Sequence, residues 1–336
     1  MHRRTFLQAS VGAAALAMAG PAAAEDEWKP ERPINLIVPW AAGGSTDQVT
    51  RVTAAELEKI LGQTIVIVNQ PGASGSIGTR SAWTAAKDGY TWTAGAAQDL
   101  GTYQTLGSLD AGIKDWNLFL NVANVSLLGV NADRPWKTAK ELIDDMKARP
   151  GEISVATAGV TSAGHAAMDR IINATGIKYK EVAYDGGAPA VLSTVAGETD
   201  LTTQLAVEQA DMIRGKRIRP LATVGAKPLT LEGFGDIPAL SETIPNLEAP
   251  LNYFGIFVPK GVPDNVVKTL EKVWAEKMPS NEALKKYAAS RGAVFDPLYG
   301  EEAQKAVFPA IQLNAWSIFN RGMAKVSPDT VGIPKP

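Results

Sequence analysis

The sequence predicts an α/β protein built as two lobes, each a mainly parallel sheet flanked by helices. Three observations predict it. Strand and helix signals alternate from Ile34 to Ala94, the same alternation restarts at Ile153, and each half has a glycine-rich turn where a strand hands over to a helix. Such alternation gives parallel strands joined by right-handed crossovers.

The chain opens on a leader. Residues 1–24 hold Arg3 and Arg4, no Asp or Glu, an Ala/Gly-rich stretch from Val11 to Ala19, and then Ala22, Ala23 and Ala24. A basic start, an apolar middle and a small-residue end are the layout of an export signal, with cleavage expected after Ala24. The middle is too short to span a bilayer. Arg3-Arg4-Thr5-Phe6-Leu7 resembles the twin-arginine signal, which exports folded proteins. An ordinary Sec leader that starts on two arginines is the alternative.

The first α/β unit follows. Ile34 to Trp40 is a continuous apolar run and reads as a buried strand. Ala41-Ala42-Gly43-Gly44 breaks it, and Ser45, Thr46 and Asp47 each suit a helix N-cap. Val49, Val52, Leu57, Ile60 and Leu61 share one helical face, and Gly62 stops the helix. Thr64 to Val68 is a second strand, Ile77 to Ala86 a helix, and Tyr90 to Ala94 a third strand.

The second unit repeats the rhythm. Thr138 to Lys147, Ser162 to Ala174 and Ala188 to Ala196 read as helices; Ile153 to Thr157, Tyr179 to Val182, Leu201 to Leu205 and Ile218 to Val224 read as strands. The final third opens on a strand, Phe254 to Val258, and continues as helices over Pro263 to Lys277, Asn281 to Ser290 and Glu301 to Asn320.

Composition narrows the chemistry. There is no cysteine, so no disulfide, thiolate nucleophile or Cys-ligated metal can form, and no lipid anchor can attach to a Cys after the leader. Beyond the leader, no stretch has the length and apolar character of a membrane helix. Without residues 1–24 the chain carries 31 basic and 35 acidic residues, so nothing points to nucleic acid or an anionic membrane.

The turns carry the functional signal. Pro39 to Asp47 and Ala158 to His165 both lie where ligands bind in open parallel sheets, outside the carboxyl ends of the strands. Glycine lets a ligand approach the backbone, and the helix that follows offers free N–H groups to an anion. A tight turn with a capped helix is the plainer reading of either one alone. Neither turn fits a nucleotide motif, since GxxxxGK[ST] and GxGxxG are both absent.

Catalysis is poorly supported. His165 is the one histidine outside the leader, and no G-x-S-x-G elbow accompanies it. It starts a helix three residues after Ser162, where packing or a local hydrogen bond is expected of it. No metal and no cofactor is expected. Asp47 and Arg51, four apart on a helix, suggest an ion pair; Trp83 and Trp92 suggest core.

In their order and spacing these blocks resemble the periplasmic solute receptors of the tripartite tricarboxylate transporters, the Bug receptors. Pro39-Trp40-Ala41-Ala42-Gly43-Gly44-Ser45-Thr46-Asp47 fits the family's Pro-Phe-x-x-Gly-Gly-x-x-Asp, and Asn69 to Gly78 fits Asn-x-Pro-Gly-Ala-x-Gly-x-x-Gly. Asp88-Gly89-Tyr90-Thr91, Gly159 to His165, Val182 to Ala190 and Gly197 to Asp200 also fit. Trp40 stands where a Phe is usual and Ala183 where a Pro is usual. Gly101 to Asn121 departs from the pattern, where the family often has a polar and an aromatic residue facing the ligand. The resemblance therefore leaves the ligand's identity open.

The resemblance implies a Venus-flytrap, periplasmic-binding-protein fold. Lobe one would hold residues 25–129 and 251–336, and lobe two residues 130–250, with hinge segments near Val130 and Pro250. It implies a periplasmic, monomeric, non-enzymatic protein that captures a small carboxylate and hands it to membrane permease subunits. In this family, backbone N–H groups, hydroxyls and ordered waters hold the carboxylates. The implied first-lobe site is Trp40, Ala42, Gly43, Gly44, Ser45, Asp47, Ala73 and Ser74, with Asp47 ordering its loop. The second-lobe site is Thr161, Ser162, His165, Tyr184, Asp185 and Gly187. Thr161 and Ser162 would grip one carboxylate. A sensor-kinase receptor and a periplasmic hydrolase or isomerase are the rival classes.

Overall fold

The computed structural model describes residues 27–245, 247 and 249–336, so the expected leader lies outside the described residues. The first apolar run forms β1 (Ile34–Val38), in which Ile34, Leu36 and Val38 are fully buried. α1 (Ser45–Leu61) follows and ends on Gly62, whose φ of 69° is the left-handed conformation that glycine adopts freely. Then come β2 (Ile65–Asn69), α2 (Ser76–Thr84), β3 (Thr91–Ala96), α3 (Ala97–Thr105) and β4 (Trp116–Asn124).

The chain then enters a second sheet. Its elements are β5 (Leu127–Asn131), α4 (Ala139–Ala148), β6 (Ser154–Thr157), α5 (Ala163–Thr175), β7 (Lys180–Ala183), α6 (Gly187–Ala196), β8 (Leu201–Thr202), α7 (Ala206–Arg214) and β9 (Ile218–Thr223). A small hairpin, β10 (Leu229–Leu231) with β11 (Gly235–Ile237), precedes the return. β12 (Asn252–Pro259), α8 (Asp264–Glu276), α9 (Glu282–Arg291), β13 (Ala293–Tyr299) and α10 (Gly300–Asn320) complete the first lobe.

The strand orders are β13-β4-β12-β3-β1-β2 and β7-β6-β8-β5-β9. β1 pairs in parallel with β2 and β3, and β6 with β7 and β8, as the repeated alternation predicts. The other pairs in these two sheets are antiparallel, so the sheets are mixed. The reason lies in the crossings. β4 carries the chain out of the first lobe and β12 carries it back beside β4, so these neighbours must run in opposite directions.

The outward crossing falls at Val125 and Ser126, a few residues before the expected position near Val130. The apolar run Leu127, Leu128 and Val130 is buried in the second lobe, and β5 pairs with β8 and β9. The return passes Pro250 just before β12.

Each lobe has its own core. Ile34, Leu57, Trp92, Phe119 and Trp274 fill one side of the first sheet; Leu100, Tyr103, Trp116, Leu120 and Ile311 fill the other. Val130, Trp136, Leu142, Val155, Met168 and Leu221 form the second lobe's core. Burying an aliphatic side chain of this size contributes about 1.5–3 kcal/mol, so each lobe can hold its own sheet in place. Two of the buried indoles are also satisfied: Trp92 donates to Gly89 O at 2.8 Å and Trp274 to Leu120 O at 2.7 Å.

Candidate functional site

The turn between β1 and α1 and the turn between β6 and α5 come from different lobes and line one cleft. Three hydrogen bonds cross between the lobes here. Ala41 N–H donates to Asp185 O at 3.2 Å, Ser45 N–H to Glu208 Oε1 at 2.8 Å, and the Thr161 hydroxyl to Ser74 O at 2.8 Å.

Asp47 orders the first turn from inside. Its carboxylate accepts the Gly43 N–H at 2.9 Å, the Asn69 amide at 3.0 Å and two Arg51 donors at 2.9 and 2.8 Å. Burial raises its pKa, but these partners outweigh it and hold the carboxyl below its ordinary value. The N-cap of α1 is Gly44, one position before the expected caps, so Asp47 serves the helix entry by reaching back to Gly43.

Ala73 and Ser74 have φ of 45° and 52°, a conformation that costs non-glycine residues of order 1–3 kcal/mol each. The Tyr103 hydroxyl (3.2 Å) joins that of Thr161 in pinning Ser74 O. Glycine at 159 fits this contact, since a Cβ there would lie 2.5 Å from Ser74 Oγ.

On the second lobe, Ser162 caps α5 and its Oγ accepts the His165 N–H at 3.2 Å. The His165 ring is buried, with Nδ1 2.5 Å from Glu181 Oε1 and Nε2 against Arg321, which also binds Asp169. That arrangement ties α5 to β7 and to the end of α10. The Tyr184 hydroxyl donates to Ser193 Oγ at 2.5 Å.

The cavity between the turns is about 30 Å³, and of the expected positions Trp40, Gly44, Ser45, Ser162 and Gly187 line it. Ala42, Gly43, Ala73 and Asp185 are exposed on the turns, and Asp185 contributes its carbonyl. Asp47, Ser74, Thr161, His165 and Tyr184 make the contacts given above and are not among the lining residues.

Sequence reasoning missed two acids in this lining. Asp99, in the first turn of α3, is 4% exposed, and its Oδ1 has no hydrogen-bond partner in the protein. Burial pushes its carboxyl well up, and the neighbouring Gln98 and Trp40 side chains oppose the rise. Glu208 accepts the Ser45 N–H and, at 3.2 Å, the Leu205 N–H. Burial raises its pKa while those donors oppose the rise. With its amide turned to satisfy both ends, Gln204 donates to Glu208 Oε2 at 3.2 Å and accepts the Ala158 N–H at 2.9 Å. The Leu205-x-x-Glu208 spacing was visible, but it marks a helix entry and says nothing of a cleft.

Among the described residues, no Lys or Arg lines this cleft and no group of three or more His, Cys, Asp or Glu could hold a metal. No described helix is long and apolar enough to cross a membrane.

Residues 49–321 match the model of the tripartite tricarboxylate transporter family receptor. The chain belongs to this receptor family. The receptor is 31% identical over 319 residues to the "UPF0065 protein in gbd 5'region" of Cupriavidus necator, covering 92% of this chain and 94% of the relative. It is 28% identical to protein BugT of Bordetella pertussis, over 86% and 88% of the two chains. Among solved structures, the periplasmic binding protein BugD superposes with a TM-score of 0.80 at 26% identity, over 88% of this receptor and 99% of BugD. R. palustris Rpa4515, solved with adipate, gives 0.79 at 25% identity over 88% and 99%. The two-lobed periplasmic-binding-protein fold predicted from the sequence is the fold of this receptor.

Proposed function

We propose that this receptor is exported to the periplasm, captures a small carboxylate between its lobes and delivers it to membrane permease subunits of a tripartite transporter. One observation carries the reading. The βα turns at the N-termini of α1 and α5, from separate sheets, line one cleft, and each is hydrogen-bonded to the opposite lobe, the first to Asp185 and Glu208 and the second to Ser74. Helix N-termini offer unpaired N–H groups and partial positive charge to an anion. The two crossings, at residues 125–126 and near Pro250, act as the hinge of a closing motion. The adipate in the related Rpa4515 structure supports a carboxylate as the ligand class.

Binding without catalysis agrees with the placement of His165, whose ring is committed to Glu181 and Arg321.

The test is a thermal-shift screen of carboxylates beside their uncharged amides. A ligand that binds only the native state at 100 times its Kd stabilises it by about 2.7 kcal/mol. The acids should raise the melting temperature and the amides should not. Equal shifts from both, or none, would count against the reading.

A further inference from the structure

The lobes also touch where the end of α10, in the first lobe, lies against α5 of the second. Ser317 Oγ donates to Asp169 Oδ2 at 2.7 Å. Arg321, one residue past α10, bonds Asp169 Oδ1 and lies against His165 Nε2. A cavity of about 240 Å³ opens beside these contacts, lined by Asp169 and Arg170 of α5 and by Asn314 and Ser317 of α10. With that gap next to them, the polar contacts carry the join between the two helices.

These contacts fix where the hydrogen of the His165 ring sits. A guanidinium has only donors, so Nε2 accepts from Arg321 and the ring is neutral. Nδ1 then carries the hydrogen and donates to Glu181 Oε1 at 2.5 Å. The residue is 1% exposed, so water gives the ring no other partner.

A second proton on the ring undoes this arrangement. It sets an N–H of Nε2 against the N–H groups of Arg321, and a cation against the guanidinium. The charged ring is still well served inside its own lobe, since Glu181 faces Nδ1 and Asp169 Oδ1 lies 3.6 Å from Nε2. Burial raises the Glu181 carboxyl, but His165, Thr157 and Arg321 outweigh it and hold the group below its ordinary value, so it remains an anion. Tyr179 of β7 stays neutral, because burial pushes its hydroxyl up. Arg170, beside Asp169, stays charged although burial lowers it to about 10. Protonation therefore exchanges a contact between the lobes for one within the second lobe. The Arg321 side chain is 34% exposed and has solvent to withdraw into.

We propose that His165 and Arg321 form a pH-sensitive latch between the lobes. The neutral ring holds Arg321 and favours the closed form; the protonated ring expels Arg321 and favours the open form. The latch reaches the cleft through one residue, since the His165 N–H is the group that Ser162 Oγ accepts. It needs the two lobes and no ligand, so its failure leaves the carboxylate reading untouched.

The test is small-angle X-ray scattering of the ligand-free protein at pH 8 and pH 5, the range in which imidazole side chains change charge. Nitrogen NMR of the ring, assigned by its loss in His165→Gln, runs beside it. At the higher pH the hydrogen should sit on Nδ1 alone; at the lower pH both nitrogens should carry one and the radius of gyration should be larger. Arg321→Ala should show the larger radius at both values and His165→Gln a single radius throughout, with circular dichroism establishing that each is folded. A wild-type radius that stays constant while the ring protonates overturns the latch, as does a ring still neutral at the lower pH. So does an acid expansion that persists in His165→Gln, which would place the switch at another group such as Glu208. Should His165→Gln not fold, Arg321→Ala decides alone: an acid expansion as large as the wild type's overturns the proposal.

Discussion

Glu208 of the second lobe and Ser45 of the first are joined by one hydrogen bond of 2.8 Å, from the Ser45 N–H to the Glu208 carboxylate. The carboxylate thus takes up a free N–H at the start of α1, where an anion is favoured. Gly187 permits the contact, since a Cβ on it would lie 2.0 Å from Glu208 Oε1.

Gly187→Ala should therefore push the carboxylate off Ser45 and loosen closure. A hydrogen bond to a charged group is worth about 1.5–3 kcal/mol, so ligand affinity should fall roughly tenfold or more. Gly44→Ala should cost less, because its added Cβ meets neighbours no closer than 3.5 Å. Calorimetric titration of the two variants checks the order, and a larger loss from Gly44→Ala would count against this role for Gly187.

Glu208 also predicts a pH dependence. Burial raises its carboxyl above the ordinary 4.5, so the folded protein binds a proton more readily there than the unfolded chain does. The charged form is destabilising, and that cost is present above the raised pKa and fades as pH falls below it. Glu208→Gln should melt above the wild type at pH 8, and the gap should narrow towards pH 5. A gap that widens on acidification would contradict the assignment.

Asp47 carries the opposite sign. Its carboxyl is held below the ordinary 3.8, so its stabilisation is present above that value and is lost as pH falls through the lowered pKa. Asp47→Ala should cost about 1.5–3 kcal/mol at neutral pH, because the Gly43 N–H and Arg51 lose a charged partner. Melts at intervals from pH 7 to pH 3 should show a constant difference that collapses only below about pH 4.

The parts of the site legible in the sequence were those with a local signature. β1 lies in an apolar run, a glycine-containing turn follows both β1 and β6, and Ser162 caps α5 as a Ser before a helix should. Asp47 was legible as a loop-ordering residue because the glycine turn lies just before it. Asp99, Glu208 and Arg170 were not legible, because each reads locally as an ordinary polar position of a helix. Only the meeting of two sheets distant in sequence gives them a cavity to face. The antiparallel strands β4 and β13 were missed for a related reason. β4 is buried along most of its length, which hides any alternation, and Pro297 interrupts β13.

Ser162 can be divided into its two roles by substitution. Ser162→Ala loses the cap and should cost about 1 kcal/mol, a few degrees in melting temperature. Ser162→Asp keeps a side-chain oxygen for the His165 N–H but adds an anion to the cleft lining. It should melt near the wild type yet bind a carboxylate at least tenfold more weakly. Equal ligand affinity in wild type and Ser162→Asp would remove Ser162 from the ligand's path.

The central claim is that a carboxylate closes two lobes about the crossings at residues 125–126 and near Pro250. Small-angle X-ray scattering, taken on the free protein and on protein saturated with a carboxylate whose binding calorimetry has established, measures it directly. The account predicts a smaller radius of gyration with ligand, and a smaller change in Gly187→Ala at the same saturation. An unchanged radius in the saturated wild type would contradict it.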